Sequence, residues 1–462
     1  MAPIDTVLAK IDSNQSGALD RLFDLLRIPS VSTDPAFKQD CARAAQWLVD
    51  ELIRIGFTAS VRPTEGHPMV VAHAKAQRSD APHVLFYGHY DVQPPDPLDL
   101  WETEPFAPRL VDTPTGKQIV ARGASDDKGQ LLLFVEACRA FLETGGLPCH
   151  VTLLFEGEEE CGSSSLPAFL AANKSELSAD IALVCDTNMW DRDTPAITTM
   201  LRGLVYEEIV VRAATRDLHS GMFGGPAANP IRILGKIIAG LHDDSGRVTL
   251  PGFYDGVDEL PDDVAKQWRA LPFEGRAFLG EVGLSKPAGE TDRSVLEQIW
   301  SRPTCEPNGI VGGYTGEGAK TVLPAEARSK ISFRLVGRQN PEKIVQAFHA
   351  YVRAQIPADC RVEFISHGAS PAIQLPFTSE ALTRARRALH QEWDREAALV
   401  GSGGSIPIVG QFKHELGLDA LMVGFALEND RIHSPNEKYE LSSFQRGARS
   451  WARILNALAS PQ

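Results

Sequence analysis

Val151-Thr-Leu-Leu-Phe-Glu-Gly-Glu-Glu-Glu-Cys-Gly162 is the stretch on which the reading of the fold turns. Its near-continuous apolar run, Val151 to Phe155, predicts a strand buried on both faces, as in a covered parallel sheet. Glu156 and then Glu158, Glu159 and Glu160 fall where that strand should end. Most charge runs are solvated loops, and that reading stands for this one taken alone. In open α/β sheets, however, ligands bind outside the carboxyl ends of the strands. Carboxylates packed together there cost free energy unless cations neutralise them. The stretch by itself therefore supports a solvated acidic loop and a metal or acid/base site equally.

Working outward, the same texture recurs. His83-Val-Leu-Phe-Tyr87 reads as a buried strand ending in Gly88-His89-Tyr90-Asp91, and Ile181-Ala-Leu-Val-Cys185 as another ending at Asp186. Helices are predicted over Thr6 to Ile28, Asp40 to Ile55 and Leu131 to Leu142, the last opened by Asp126 or Asp127. Alternating helices and buried strands predict an α/β fold with a mainly parallel sheet flanked by helices. After Asp193 the pattern changes. Ala196 to Ala213 is β-rich with a break at Gly203, Pro230 to His242 is helical, Thr321 to Val336 is β-like, and Arg361 to Ser366 follows a helix over Glu342 to Gln355. The stretch from 248 to 301 has no clear period. We expect an α+β domain, 197–372, inserted into a catalytic domain formed by 1–196 and 373–462. The final segment returns to α/β texture, with helices at Ser379 to Trp393 and Leu441 to Leu458.

Composition excludes several classes. A net charge of −14, from 46 basic and 60 acidic residues, argues against a nucleic-acid binder. Seven cysteines, an odd number with no C-x-x-C pair, argue against a disulfide framework. No signal peptide and no apolar run of membrane-spanning length is evident, so the expectation is a cytoplasmic protein with no membrane partner.

The candidate ligands sit at strand ends or in adjoining loops: His89, Asp126, Glu159 with Glu160, Asp186, and His433 in Arg431-Ile-His-Ser-Pro435. Singly, each has a plain explanation. A loop histidine is seldom a ligand, an Asp before a helix is usually a cap, and Asp186 could be a turn residue. Together they are the imidazole and carboxylate set of a hard or borderline divalent cation, with no thiolate. Asp91, two residues after His89, suits the carboxylate that holds a ligating imidazole by its other nitrogen. Adjacent Glu159 and Glu160 permit one to ligate while the other moves a proton.

Gly88-His-Tyr-Asp-Val92, Arg122-Gly-Ala-Ser-Asp-Asp-Lys-Gly129, Glu156-Gly-Glu-Glu-Glu-Cys-Gly-Ser163 and His433-Ser-Pro-Asn-Glu437 resemble the signatures of a dinuclear-metal peptidase and amidohydrolase family. That family includes carnosinase, glutamate carboxypeptidase, aminoacylase and succinyl-diaminopimelate desuccinylase. Asp217-Leu-His-Ser-Gly221, Gly312-Gly-Tyr-Thr-Gly-Glu-Gly-Ala-Lys-Thr-Val322 and Gly403-Gly-Ser-Ile-Pro407 are most similar to its carnosinase-like cytosolic dipeptidases. The resemblance implies two divalent ions per subunit, Zn2+ or Mn2+. His89, Asp126 and Asp186 would hold one and Asp126, Glu160 and His433 the other, with Asp126 bridging. It further implies Asp91 orienting His89, Glu159 as general base and acid, and a cis Asp126–Asp127 bond. The inserted domain would be a lid that forms a homodimer, its His219 reaching the partner's site to stabilise the tetrahedral intermediate. Thr321, Arg334 and Ser405 match positions that grip the substrate's carboxylate end; the plain alternative for Arg334 is an ordinary salt bridge. Glu158 is expected to be solvated. One departure is Gly401-Ser402, where carnosinase-like relatives often carry Arg-Glu. The implied activity is hydrolysis of the amide bond of small peptides, dipeptides with a free carboxyl terminus. The alternatives are deacylation, desuccinylation or decarbamoylation of N-acylated amino acids at the same centre, and a catalytically silent binding protein.

Overall fold

The computed structural model describes residues 2–404 and 406–460; Ser405 lies outside them. The chain divides into two compact units, one made of residues 1–199, 375–400 and 411–462, the other of 200–374 and 401–410.

The first unit is built on a mixed sheet whose centre is parallel. The strand His150–Glu156, buried from Val151 onward, runs beside His83–His89 in parallel register, His89 opposite Glu156. Ile181–Val184 and then Ala420–Met422 continue the parallel set. Met69–Ala74 and Thr58–Arg62 extend the sheet antiparallel on one side, and Ala196–Leu201 does so beyond Ala420–Met422. Parallel order brings four carboxyl ends to one edge, where His89, Glu156 and the segments after Val184 and Met422 emerge together.

The helix Lys128–Thr144 is buried along almost its whole length. Phe134 stacks on Phe86 at 3.8 Å between centroids, and Trp451 from the helix Leu441–Ala459 closes edge-on against both at 5.5 Å. This dry aromatic layer fixes the helix that begins just after Asp126. The expected helix over Thr6 to Ile28 is instead two, Ile4–Ser13 and Gln15–Leu26, broken at Asn14. A small antiparallel sheet of Lys438–Glu440, Gly116–Val120 and Arg109–Thr113, absent from the sequence reading, lies alongside.

The second unit is a four-stranded antiparallel sheet in the order Thr304–Gly312, Glu326–Leu335, Gly203–Arg212, Arg361–Ser370. Its alternating residues Val205, Ile209, Val211, Ile331 and Phe333 pack against Leu234, Ile237 and Phe348 of the helices Pro230–Ala239 and Pro341–Arg353. Both helices start on Asn-Pro: the Asn side chain caps the first turn and the proline occupies a position that needs no donor. Short helices at Asp262–Ala270, Gly275–Gly280 and Val295–Trp300 fill the stretch that showed no period.

Candidate metal centre

Each parallel strand delivers one donor. His89 is the last residue of its strand, and Asp186 stands two residues past Val184. Glu159 and Glu160 open a single 3-10 turn, Glu159–Cys161, that follows the central strand. Asp126 sits in the loop before Lys128–Thr144, and the Asp126–Asp127 bond is cis. His433 lies in a loop where Arg431, His433 and Asn436 all adopt left-handed backbone (φ 58°, 62° and 59°), a conformation non-glycine residues take at a cost.

These residues converge as two triads that share Asp126. His89, Asp126 and Asp186 form one, Asp126, Glu160 and His433 the other, each with one ligand atom per residue within 4.8 Å of the rest. The shared carboxylate is split between them: Oδ1 is 3.0 Å from His89 Nε2, and Oδ2 is 2.9 Å from His433 Nε2. Glu160 Oε2 lies 3.3 Å from the same His433 nitrogen. Donor spacings of about 3 Å match the edges of a coordination shell with metal–donor bonds of about 2.1 Å.

The other imidazole nitrogen decides what these contacts are. His89 Nδ1 lies 3.1 Å from the Asp91 carbonyl and 3.4 Å from Asp91 Oδ1, a buried oxygen with no hydrogen-bond partner of its own. Acceptors surround Nδ1, so it carries a proton; Nε2 and Asp126 Oδ1 then face each other as two lone-pair donors. Only a proton or a cation between them resolves that arrangement. The titration directions agree. Burial works against a charged His89, yet Asp126 and Asp91 raise it well above the usual imidazole value. Asp126 and Glu160 push His433 up to about 10. Burial, outweighed by the His433 and His89 bonds, leaves Asp126 below its ordinary range. Burial and the Asp126 charge push Asp186 up to about 7. The donor set is that of two divalent cations.

Asp91 Oδ2 also accepts the Glu160 N–H at 3.0 Å, so one carboxylate lies against donors of both triads. Glu159 is half-buried, its carboxylate takes no hydrogen bond from the described residues, and its carboxyl pKa is raised by burial and by Glu160 and Asp126, against the opposing effect of His89. Several contributors were not singled out from sequence. Gln93 Nε2 donates to Glu160 Oε2 at 2.7 Å, and Asp127 Oδ2 accepts the His89 N–H at 3.1 Å. Tyr87 donates to Glu156 at 2.6 Å, a carboxyl that burial pushes up to about 7. The expectation for Glu158 fails: it is buried, accepting from His67 N at 2.9 Å and Ser165 N at 3.0 Å. Its carboxylate occupies the space a Cβ on Gly66 would need.

The remaining candidates belong to the second unit. His219 is exposed on the ribbon Leu218–His219/Val322–Leu323, beside Thr321, whose carbonyl accepts from Ser220 N at 3.0 Å. His219 Nδ1 accepts the Gly221 N–H at 2.9 Å, which leaves Nε2 to carry the ring proton, with no acceptor for it among the described residues. Arg334 is half-buried at the opposite end of Glu326–Leu335, about 26 Å along the strand from its start. It forms no ion pair among the described residues. Arg202, a further cation missed from sequence, donates to Gly403 O at 3.1 Å; burial and the Arg334 charge lower it to about 10.

Residues 85–457 match the profile of peptidase family M20/M25/M40. The chain is 31% identical over 475 residues to Cys-Gly metallodipeptidase DUG1 of Candida albicans, covering 98% of this chain and 97% of that protein. It is 28% identical over 479 residues to human Beta-Ala-His dipeptidase, covering 99% and 93%. Among solved structures, the M20 family metallo-carboxypeptidase Sso-CP2 from Sulfolobus solfataricus superposes with a TM-score of 0.76 at 29% identity, over 96% of this chain and 99% of that one.

Proposed function

This chain belongs to peptidase family M20/M25/M40, and on that footing we propose that it hydrolyses the amide bond of dipeptides with a free carboxyl terminus. The observation that carries the reading is the Asp126 carboxylate divided between two ligand triads. Two divalent ions, Zn2+ or Mn2+, would be held by His89, Asp126 and Asp186 and by Asp126, Glu160 and His433, polarising the scissile carbonyl and acidifying a water. Glu159 takes the proton from that water and returns it to the leaving amine. Its burial suits a carboxyl that must hold a proton part-way through a cycle. Asp91 holds His89 in the tautomer that presents Nε2.

Arg334, with Ser405, would receive the substrate's carboxylate, and Thr321, which lies beside His219 at the other end of the second unit, would join them from a partner subunit; that Arg334 has no acidic partner among the described residues favours this over a structural salt bridge. His219, a donor through Nε2, would stabilise the developing oxyanion in a partner subunit. A homodimer is supported by the second unit's surface. Its edge strand Thr304–Gly312 exposes Ile310 and Val311, with Ile231 against Gly312 and Gly313 and with Tyr314 exposed next to them. Seven free thiols support a cytoplasmic location; no helix among the described residues is long and apolar enough to cross a membrane.

The test is to strip the protein with chelator, restore Zn2+ or Mn2+, and follow amino-acid release from an unblocked dipeptide and from an N-acetylated amino acid in parallel. Metal-dependent cleavage of the dipeptide is the expected result. Cleavage of the acylated substrate alone would move the activity to the deacylase branch. Full metal loading with no turnover of either would count against the reading.

A further inference from the structure

Glu437 lies four residues beyond His433 and is fully buried. Its carboxylate is saturated with donors. Oε1 accepts the N–H groups of Ser125 at 2.9 Å and Asp126 at 3.0 Å; Oε2 accepts the N–H of Gly123 at 2.8 Å and Nη1 of Arg122 at 2.8 Å. Three backbone donors from one four-residue stretch thus converge on a single anion, the geometry of a backbone nest. The anion filling it is this chain's own, brought by the loop that carries His433. Arg122 is buried as well, anchored through Nη2 to Pro94 O at 3.1 Å and stacked over Trp101 at 5.5 Å. The loop has a second tie: Ser125 Oγ donates to Asp430 Oδ2 at 2.8 Å, and Lys438 Nζ meets Asp430 Oδ1 at 2.5 Å.

Asp126 must present one oxygen to each triad, so its backbone has to be held relative to both His89 and His433. The His89 side is set by the sheet. On the His433 side the direct tie is Glu437, bonded to Asp126 N and joined by four residues of chain to His433. We propose that Glu437, neutralised by Arg122, is a positioning residue that fixes the Asp126 carboxylate between the two cation sites and couples their occupancy. This rests on the dinuclear reading of Asp126.

Glu437→Gln keeps the shape of the side chain but turns one oxygen into an amide nitrogen. Whichever way the amide lies, its N–H groups face two N–H groups, or one N–H and the guanidinium, and two of four bonds are lost. The experiment titrates metal-stripped, full-length wild type and E437Q with Mn2+ by calorimetry and melts both stripped proteins. The expected result is that both Mn2+ affinities fall together by about ten- to a hundredfold, the range for losing a group that holds a ligand. The variant's kcat for a dipeptide should fall in step, with a smaller change in KM. A purely structural role would lower the melting point of the stripped protein and leave both affinities intact, and that result overturns the proposal. So does the loss of only one affinity. If E437Q does not fold, Glu437→Asp keeps the charge but cannot reach all four donors; wild-type affinities in it would overturn the proposal equally. A wild type that takes up two ions while the variant matches it defeats this inference alone. A wild type that takes up fewer than two defeats the dinuclear reading and this inference with it.

Discussion

Glu159 and Glu160 are neighbours of one residue type whose surroundings assign them different work. Glu160 is tied by Gln93 and by Asp91 and touches His433, while the Glu159 carboxylate accepts no hydrogen bond from the described residues. Glu159→Gln is therefore expected to bind two ions as wild type does and to lose at least about a hundredfold in kcat, the scale of general acid–base catalysis. Metal titration beside steady-state kinetics checks both halves, and near-normal turnover would exclude Glu159 as the base. The imidazoles give a second prediction. With His433 raised to about 10 and Asp186 to about 7, the ion-free site holds protons at pH 7 that cations must displace. Metal affinity should therefore rise with pH above 7, and loading should release protons, measurable by calorimetry in buffers of different ionisation enthalpy. His89, Glu160 and Asp186 were legible as candidates because each follows a buried strand, whereas their grouping with Asp126 and His433 into two triads came only from the family resemblance. The burial of Glu158 was not legible, because its partner space is made by Gly66, a residue no local pattern links to it.

At the scale of elements, the site depends on how firmly the helix Lys128–Thr144 is pinned. Phe86→Ala would open a void between Phe134, Phe155 and Trp451 and is expected to cost about 3–5 kcal/mol, read from denaturant unfolding. A loss below about 1 kcal/mol would mean the layer can collapse around the gap. The central strands were readable because burial on both faces leaves a continuous apolar run. The strand Thr304–Gly312 was not: it contains Pro307 and Gly309 around a register shift, residues that an edge strand tolerates and a central one does not. The sheet of Arg109–Thr113, Gly116–Val120 and Lys438–Glu440 was hidden because its first two strands are partly exposed and the third, though buried, is only three residues long. The short helices between 262 and 300 span too few turns to establish a period against their surroundings.

For the whole molecule, the proposed homodimer makes its own demands. Val311→Asp, placing a charge in the exposed apolar patch, should shift the protein to monomer in sedimentation and lower turnover without changing metal uptake. A dimer unchanged by it would direct attention to another surface. Mixing His219→Ala with Glu159→Ala subunits should recover part of the activity that neither homodimer has, if the histidine acts across the interface; no recovery would place it in its own subunit's chemistry or outside it. The compact unit holding the triads is also assembled from three separate stretches of chain. During synthesis, residues for the first triad are all made by Asp186, but His433 and Glu437 leave the ribosome only after the entire intervening unit. A growing chain can therefore gather the first three donors early, yet Asp126 stays untethered on its other side until the segment carrying His433 and Glu437 has been made. A product truncated anywhere before His433 would carry the first triad alone, with nothing to hold the other oxygen of Asp126.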